Sequence, residues 1–116
     1  MGAPITHVEI NSKNQKKLLD FYSKLFDWHM DTNNPMGYAM VDTHASKGIG
    51  AGIGQAQNGS KSYVTFYVDV TDLAGTLKKA EQLGAKTVLQ PTKTGPVEVA
   101  MFADPDGNVV GLAKGM

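Results

Sequence analysis

The stretch FADPDGNVVGL, residues 102–112, joins two β-like runs through a turn. Pro105 presets φ, Gly107 supplies the positive φ that such turns need, and the Asp and Asn side chains on either side bond the turn backbone. The stretch therefore predicts a β-hairpin whose second strand carries Gly111 in its middle. Since these turn residues are common at hairpins, the simplest interpretation of the stretch is structural.

A strand and a helix open the first half of the chain. A β-like run covers residues 5–10, and apolar residues then recur at helical spacing as far as Phe26. Asn11 or Ser12 is the expected N-cap of this helix. Three further β-like runs follow, over residues 28–32, 37–42 and 48–54.

The same order of elements returns in the second half. A strand is predicted over residues 63–70, and Thr71 or Asp72 is the expected cap of the helix that follows. Gly84 stands where a C′ glycine ends a helix. Three β-like runs again follow, over residues 86–90, 97–103 and 108–113.

The chain is therefore predicted to be an α+β fold made of two βαβββ modules. Module one covers about residues 4–57 and module two about residues 61–114, with Asn58-Gly59-Ser60 as the joint. Ala39-Met40-Val41 and Ala100-Met101-Phe102 occupy matching places in the two modules. At 116 residues, both modules fit within one domain.

Composition excludes several classes of function. The chain has 11 basic and 11 acidic residues, so we expect no nucleic acid and no anionic membrane as partner. The absence of cysteine excludes disulfides, thiol nucleophiles and Cys-based zinc sites. No apolar run approaches the ~20 residues of a membrane span, and no secretory signal pattern is present. We therefore expect a soluble, cytoplasmic protein.

Several short motifs accompany the duplicated modules: Thr6-His7-Val8-Glu9-Ile10, Phe21-Tyr22, Val68-Asp69-Val70, Asp72-Leu73 and Asp104-Pro105-Asp106-Gly107-Asn108. Together with the modules they resemble the vicinal oxygen chelate superfamily, which includes glyoxalase I, bleomycin-resistance proteins and extradiol dioxygenases. Within that superfamily the chain resembles the small branch related to lactoylglutathione lyase. This resemblance implies a U-shaped mixed sheet around a groove, with the helices on its outer face.

The resemblance also implies where metal ligands would lie: on the first and the last strand of each module. His7 matches the first of these positions, whereas Thr65 and Gly111 stand at the two positions of module two. The last strand of module one, residues 48–54, has no Glu, Asp or His. We therefore expect no metal and no cofactor, because a lone imidazole does not hold a metal against water. A partial site of His7 with Glu9 is the alternative.

Strand alternation predicts what the groove contains instead. Glycines recur at every second position from Gly48 to Gly54 and leave one face of that strand bare. This bare face predicts space for a ligand, although strand glycines also admit another backbone at close range. In the first strand of each module, the side chains that point away from the groove are apolar and are expected to face the helices. These residues are Val8, Ile10, Val64, Phe66 and Val68. The predicted ligand-binding residues are Tyr63, Thr65, Tyr67, Gly50, Gly52, Gly111, Met40 and Met101.

Two classes of function follow from this site. The favoured one is a glyoxalase-like protein that binds a small apolar or aromatic metabolite or drug without a metal. The alternative is a metal-independent lyase or isomerase with His7 as general base, steered by Glu9, since a histidine of near-neutral pKa suits proton abstraction. A stress-response or interaction domain without a ligand is a third option. The resemblance implies a homodimer.

Overall fold

A computed structural model describes residues 2–56 and 61–115 of the protein. It confirms the α+β class and the order βαβββ in each half, while the predicted joint Asn58-Gly59-Ser60 lies outside the described residues. No helix in these ranges is long and apolar enough to cross a membrane. The described elements are β1 (Ile5–Ser12), α1 (Gln15–Phe26), β2 (His29–Asp31), β3 (Ala39–Asp42), β4 (Gly50–Gln55), β5 (Tyr63–Asp69), α2 (Leu73–Gln82), β6 (Lys86–Thr94), β7 (Val97–Ala103) and β8 (Val109–Lys114).

The chain divides into two compact units: a first unit, His7–Val64, and a second unit, Met1–Thr6 with Thr65–Met116. In the first unit the strands lie in the order β2-β3-β4-β1. The β2–β3 and β3–β4 pairs are antiparallel, and β4–β1 is parallel. Because a parallel pair needs a crossover connection, helix α1 and the two strands after it return the chain to β1.

The second unit repeats this arrangement with the order β5-β8-β7-β6. Its β5–β8 pair is parallel, and the β8–β7 and β7–β6 pairs are antiparallel. The matching tripeptides occupy equivalent register positions, since Ala39 pairs with Ile53 and Ala100 pairs with Leu112. All four of these side chains are buried, so each unit places its core at the same point of its sheet.

Helix α1 begins later than the sequence predicted. Its N-cap is Asn14, whose side-chain oxygen accepts from the Lys17 N–H. The expected caps Asn11 and Ser12 are wrong because both still belong to β1 and pair with β4. The Ser12 hydroxyl instead accepts from the Asn14 N–H and shapes the entry to the helix. Gln15 then ties the helix to β4 by donating to the Ile53 carbonyl at 2.7 Å.

Helix α2 has the ends that the sequence predicted. The Asp72 side chain accepts from the Gly75 N–H, and Gly84 follows the helix at φ +106°. Its buried face meets the sheet in a core of Leu73, Leu77, Ala100 and Leu112. Val68, Val70 and Phe102 pack against this core.

The apolar side of β5 is only partly covered. Val68 lies against the core of α2 as expected, but Val64 is 68% exposed and Phe66 is 38% exposed. These two residues share the strand face of Val68, as expected, but the helix leaves them partly exposed. Because α2 starts directly after Asp72, its contacts gather at the carboxyl end of β5.

The predicted hairpin between β7 and β8 is confirmed. The Asp104 carboxylate accepts from the N–H groups of Asp106 and Asn108 and from the Asn108 side chain, and Gly107 adopts φ +90°. These hydrogen bonds, with the one from the Asn108 side chain first, lower the pKa of Asp104. The turn fixes the register that places Gly111 opposite Met101.

Candidate functional site

The candidate site of the first unit is built around His7. This residue lies on β1 opposite Gly50 of β4, and only 4% of it is exposed. Its Nε2 atom is 2.9 Å from the hydroxyl oxygen of Tyr38. Since Glu9 lies two residues further along the same strand, its side chain shares the face of His7, as the sequence predicted.

Tyr38 is a residue of the candidate site that the sequence analysis missed. Its hydroxyl contacts His7 and also donates to the Glu9 carboxylate at 3.1 Å, so it joins the two predicted side chains. Asn34 holds its backbone from both sides: the Asn34 Oδ1 atom accepts from the Tyr38 N–H, and the Asn34 amide donates to the Tyr38 carbonyl. One feature of the sequence could have identified it. Tyr38 lies two residues before Met40, and residues two apart on a strand lie on the same face, so Tyr38 was expected on the face that carries the predicted site residue Met40.

Burial governs the charge state of the site. Burial lowers the pKa of His7 and so favours its neutral form. Burial also raises the pKa of the Tyr63 phenol, and the nearby Glu9 carboxylate raises it further. Tyr63 therefore belongs to the same electrostatic neighbourhood as Glu9 and stays a neutral hydrogen-bonding group.

The glycine strand of the first unit lies under the ring of Tyr38. A Cβ added at Gly52 would collide with the far end of that ring. At Gly54 an added Cβ would lie 3.3 Å from the ring and 3.3 Å from the Asn11 side-chain oxygen. Gly52 itself is flanked by Glu9 on β1 and Met40 on β3.

An equivalent arrangement occurs in the second unit. Gly111 is flanked by Tyr67 on β5 and Met101 on β7. Here the ring of Tyr67 itself covers the glycine, because an added Cβ would lie 2.5 Å from Tyr67 Cδ2. The Thr65 hydroxyl donates to the Val109 carbonyl at 2.7 Å, so it is bound to the neighbouring strand.

The expectation of empty space is therefore wrong at Gly52 and Gly111. A tyrosine ring fills the volume that each missing side chain leaves, and neither another backbone nor open space is found there. The two methionines also differ, because Met40 is 46% exposed and Met101 is 7% exposed. Core packing thus describes Met101, while Met40 stays accessible beside the site.

A cleft beside Tyr38 remains open. It has a volume of about 160 Å³ and lies wholly within the first unit. The Gln55 amide serves the fold, since it accepts from the Gln15 N–H and donates to the Lys13 carbonyl. The cleft is lined by Glu9, Asn11, Met36, Tyr38, Gly54 and Gln55.

The residues at the implied ligand positions do not fit a metal. Gly52 and Gly111 hold equivalent register positions and have no side-chain donor, and the Thr65 hydroxyl donates within the sheet. The remaining position is His7, whose Nε2 atom contacts the Tyr38 hydroxyl. Within residues 2–56 and 61–115, no group of three His, Cys, Asp or Glu side chains could hold an ion.

Comparison with known proteins agrees with this architecture. The profile of the family described as Glyoxalase/Bleomycin resistance protein/Dioxygenase superfamily matches residues 4–112. Sequence comparison with curated proteins gives no significant match.

Solved structures of similar fold share little sequence identity with the chain. One is described as the NAD-dependent benzaldehyde dehydrogenase from Legionella pneumophila, with 16% identity, a TM-score of 0.69 and coverage of 95% of this chain and 98% of that one. Methylmalonyl-CoA epimerase from Mycobacterium tuberculosis has 14% identity, a TM-score of 0.65 and coverage of 97% and 87%. A glyoxalase/bleomycin resistance protein/dioxygenase superfamily member from Vibrio splendidus 12B01 has 13% identity and a TM-score of 0.63, and the match covers 97% of this chain and 99% of that one. At these identities the likeness concerns the fold.

Replacing the two covered glycines should have unequal effects. At Gly111 the added Cβ meets Tyr67 near the root of its ring, which cannot move without the strand, so Gly111→Ala should lower the free energy of unfolding by about 1–3 kcal/mol. At Gly52 it meets the far end of the Tyr38 ring, which can swing away. Gly52→Ala should therefore cost less stability but break the contact between His7 and Tyr38. Urea denaturation measures both changes.

Two controls sharpen this comparison. Gly54→Ala, whose Cβ needs a shift of only tenths of an ångström, should be close to neutral. In a Tyr38→Ala background the cost of Gly52→Ala should disappear, because the colliding ring is gone. Equal costs at Gly52, Gly54 and Gly111 would contradict the assignment of the rings.

The lowered pKa of His7 predicts a pH dependence of stability. As the pH falls through the ordinary value of 6.5, the unfolded chain takes up a proton that the folded His7 does not. The free energy of unfolding should therefore fall below pH 6.5 and level off below the folded pKa. In His7→Gln this step should be absent, whereas His29 and His44 remain in both proteins and cancel in the comparison. Identical pH profiles would show that His7 is not the residue responsible.

Proposed function

Since the chain belongs to the glyoxalase/bleomycin resistance protein/dioxygenase superfamily, we propose that it binds a small, partly aromatic or apolar molecule in the cleft beside Tyr38. The cleft itself is the observation that carries this proposal. Met36 is 66% exposed at the cleft and, with the Tyr38 ring, offers an apolar surface. Glu9 and Asn11 offer hydrogen-bonding groups that orient a ligand.

The proposal revises the ligand-binding set expected from the sequence. The proposed ligand contacts now include Glu9, Tyr38 and Met36, which line the cleft. Tyr63 lies near Glu9, and its raised pKa keeps its phenol neutral. Gly52 contributes by admitting the Tyr38 ring. The remaining residues predicted from the sequence stay predictions as ligand contacts: Thr65, Tyr67, Gly50, Gly111, Met40 and Met101.

We propose that binding requires no metal or other cofactor. The support is the donor set, because the positions that would complete a site with His7 are held by glycines and by a threonine already bonded to Val109. A cytoplasmic location also remains a prediction from the sequence.

A second candidate function is general-base catalysis by His7. It is favoured by the lowered pKa of His7, which keeps the imidazole neutral and able to accept a proton near pH 7. Exchange of a ligand hydrogen with solvent deuterium, seen by NMR, would separate catalysis from binding alone. His7→Gln should abolish the exchange and leave binding in place.

The binding proposal predicts a ligand-dependent rise in melting temperature. Native mass spectrometry of the purified protein identifies co-purified molecules, and a panel of small aromatic compounds adds further candidates. A ligand at a hundredfold excess over its Kd should raise the melting temperature by roughly ten degrees. Glu9→Gln should weaken binding about tenfold in calorimetry, because a charged hydrogen bond is replaced by a neutral one.

Glu98→Gln is the matched control for this experiment. Glu98 is a half-buried strand glutamate of the second unit, so its substitution should leave the affinity unchanged. Elemental analysis of the same tag-free preparation tests the absence of metal. One equivalent of Zn, Ni, Mn or Fe that is lost in His7→Ala would contradict metal-free binding, and equal affinities for Glu9→Gln and wild type would place the ligand elsewhere.

We further propose that the protein is a homodimer. Helix α1 exposes apolar side chains, since Phe21 is 52% and Leu25 is 57% exposed. Light scattering should give twice the chain mass of 12.4 kDa at micromolar concentration. Leu25→Lys should shift the mass towards that of one chain, whereas Leu83→Lys, at a 71% exposed position of the second unit, serves as control. A single-chain mass for the wild type would contradict the proposal.

A further inference from the structure

The Tyr38 side chain lies where its surroundings would suit a ligand. Its ring covers the glycines of β4, and its hydroxyl oxygen is 2.9 Å from His7 Nε2 and 3.1 Å from Glu9 Oε1. We infer that this side chain is an internal mimic of a phenolic ligand, which displaces the ring and takes its place on Gly52 and Gly54. The inference rests on the binding proposed for the cleft and adds the class of the ligand and its position.

The floor of this position is a bare strip of β4. An added Cβ would collide with the hydroxyl end of the Tyr38 ring at Gly52 and would lie 3.3 Å from the opposite edge of the ring at Gly54. Residues two apart on a strand share a face and lie about 6.6 Å apart, so the two glycines together carry the length of the ring. A flat aromatic ring therefore fits the strip, because no side chain interrupts it.

The polar end of this position favours a hydroxyl group. One oxygen atom lies within hydrogen-bonding distance of both His7 and Glu9. A hydroxyl group both donates and accepts hydrogen bonds, so a single ligand oxygen can take over both contacts. A ring without a hydroxyl makes neither contact and should bind less tightly. The position therefore selects a phenol over a hydrocarbon of the same shape.

The Tyr38 ring can leave this position by rotation of its side chain alone. Asn34 bonds the N–H and carbonyl groups of Tyr38, so the backbone keeps its place. The ring is half-buried and borders the cleft, through which a ligand can enter. Tyr67 of the second unit differs, because it is buried and meets Gly111 near the root of its ring. We therefore place the exchange in the first unit.

The ring competes with the ligand because both need the same floor. The apparent affinity of a phenol is reduced by the fraction of molecules whose ring is turned out, and removal of the ring removes this loss. Tyr38→Ala should therefore bind p-cresol, which is the tyrosine side chain without its backbone, at least about tenfold more tightly than the wild type. A ligand that packs on the ring in its present position would instead bind Tyr38→Ala less tightly.

Calorimetric titration with p-cresol tests this competition. Tyr38→Phe is the second variant: it keeps the fold-compatible ring but lacks the hydroxyl contacts that hold it, so it too should bind p-cresol more tightly than the wild type. Toluene, which has no hydroxyl, should bind Tyr38→Ala about tenfold more weakly than p-cresol does. Tyr22→Phe is the matched control, since it alters a ring stacked on Trp28 and should keep the wild-type affinity.

Carbon NMR of the four tyrosine rings shows the displacement itself in the wild type. Tyr38→Phe identifies the Tyr38 signal, which should move towards that of N-acetyltyrosine amide when p-cresol is added. An unmoved Tyr38 signal, a p-cresol affinity of either Tyr38 variant that does not exceed the wild-type value, or equal binding of p-cresol and toluene to Tyr38→Ala would overturn the inference. A ligand that raises the melting temperature of the wild type and leaves the Tyr38 signal in place would reject the displacement but retain binding in the cleft, so the two proposals fail separately.

Discussion

The arrangement of the site depends on one steric constraint, the absence of a side chain at Gly52 and Gly111. Each glycine allows a tyrosine ring to lie against its sheet, where a single Cβ would collide with the ring. In the first unit this contact carries the Tyr38 hydroxyl to a point between His7 and Glu9. The glycines thus position the chemistry without taking part in it.

The two units show how one module can be specialised in different ways. Their registers are equivalent, with Gly52 between Glu9 and Met40 and with Gly111 between Tyr67 and Met101. In the second unit, Tyr67 and Met101 are both buried. In the first unit the covering ring comes from outside the strand pair, so Glu9 keeps its carboxylate beside an open cleft. The equivalent positions therefore serve core packing in the second unit, through Tyr67 and Met101, and polar contacts in the first unit, through Glu9 and Tyr38.

Much of the fold could be predicted because its signals are local. Strand alternation, helical spacing and turn residues identified the duplicated modules, the Asp72 cap and the hairpin at Gly107. The N-cap at Asn14 was missed because it depends on how far β1 remains paired with β4. Tyr38 was missed because it is 31 residues from His7, and pattern alone does not reveal a contact at that separation. The glycines were interpreted as space for a ligand, and the pattern could not show that a tyrosine ring fills this space at Gly52 and Gly111.

A crystal structure of the wild-type protein tests the central claim most directly, because it places the Tyr38 and Tyr67 rings relative to Gly52 and Gly111. The account predicts that each ring lies over its glycine and that the Tyr38 hydroxyl lies within hydrogen-bonding distance of His7 and Glu9. A Tyr38 ring displaced from Gly52, or a Tyr67 ring displaced from Gly111, would contradict it.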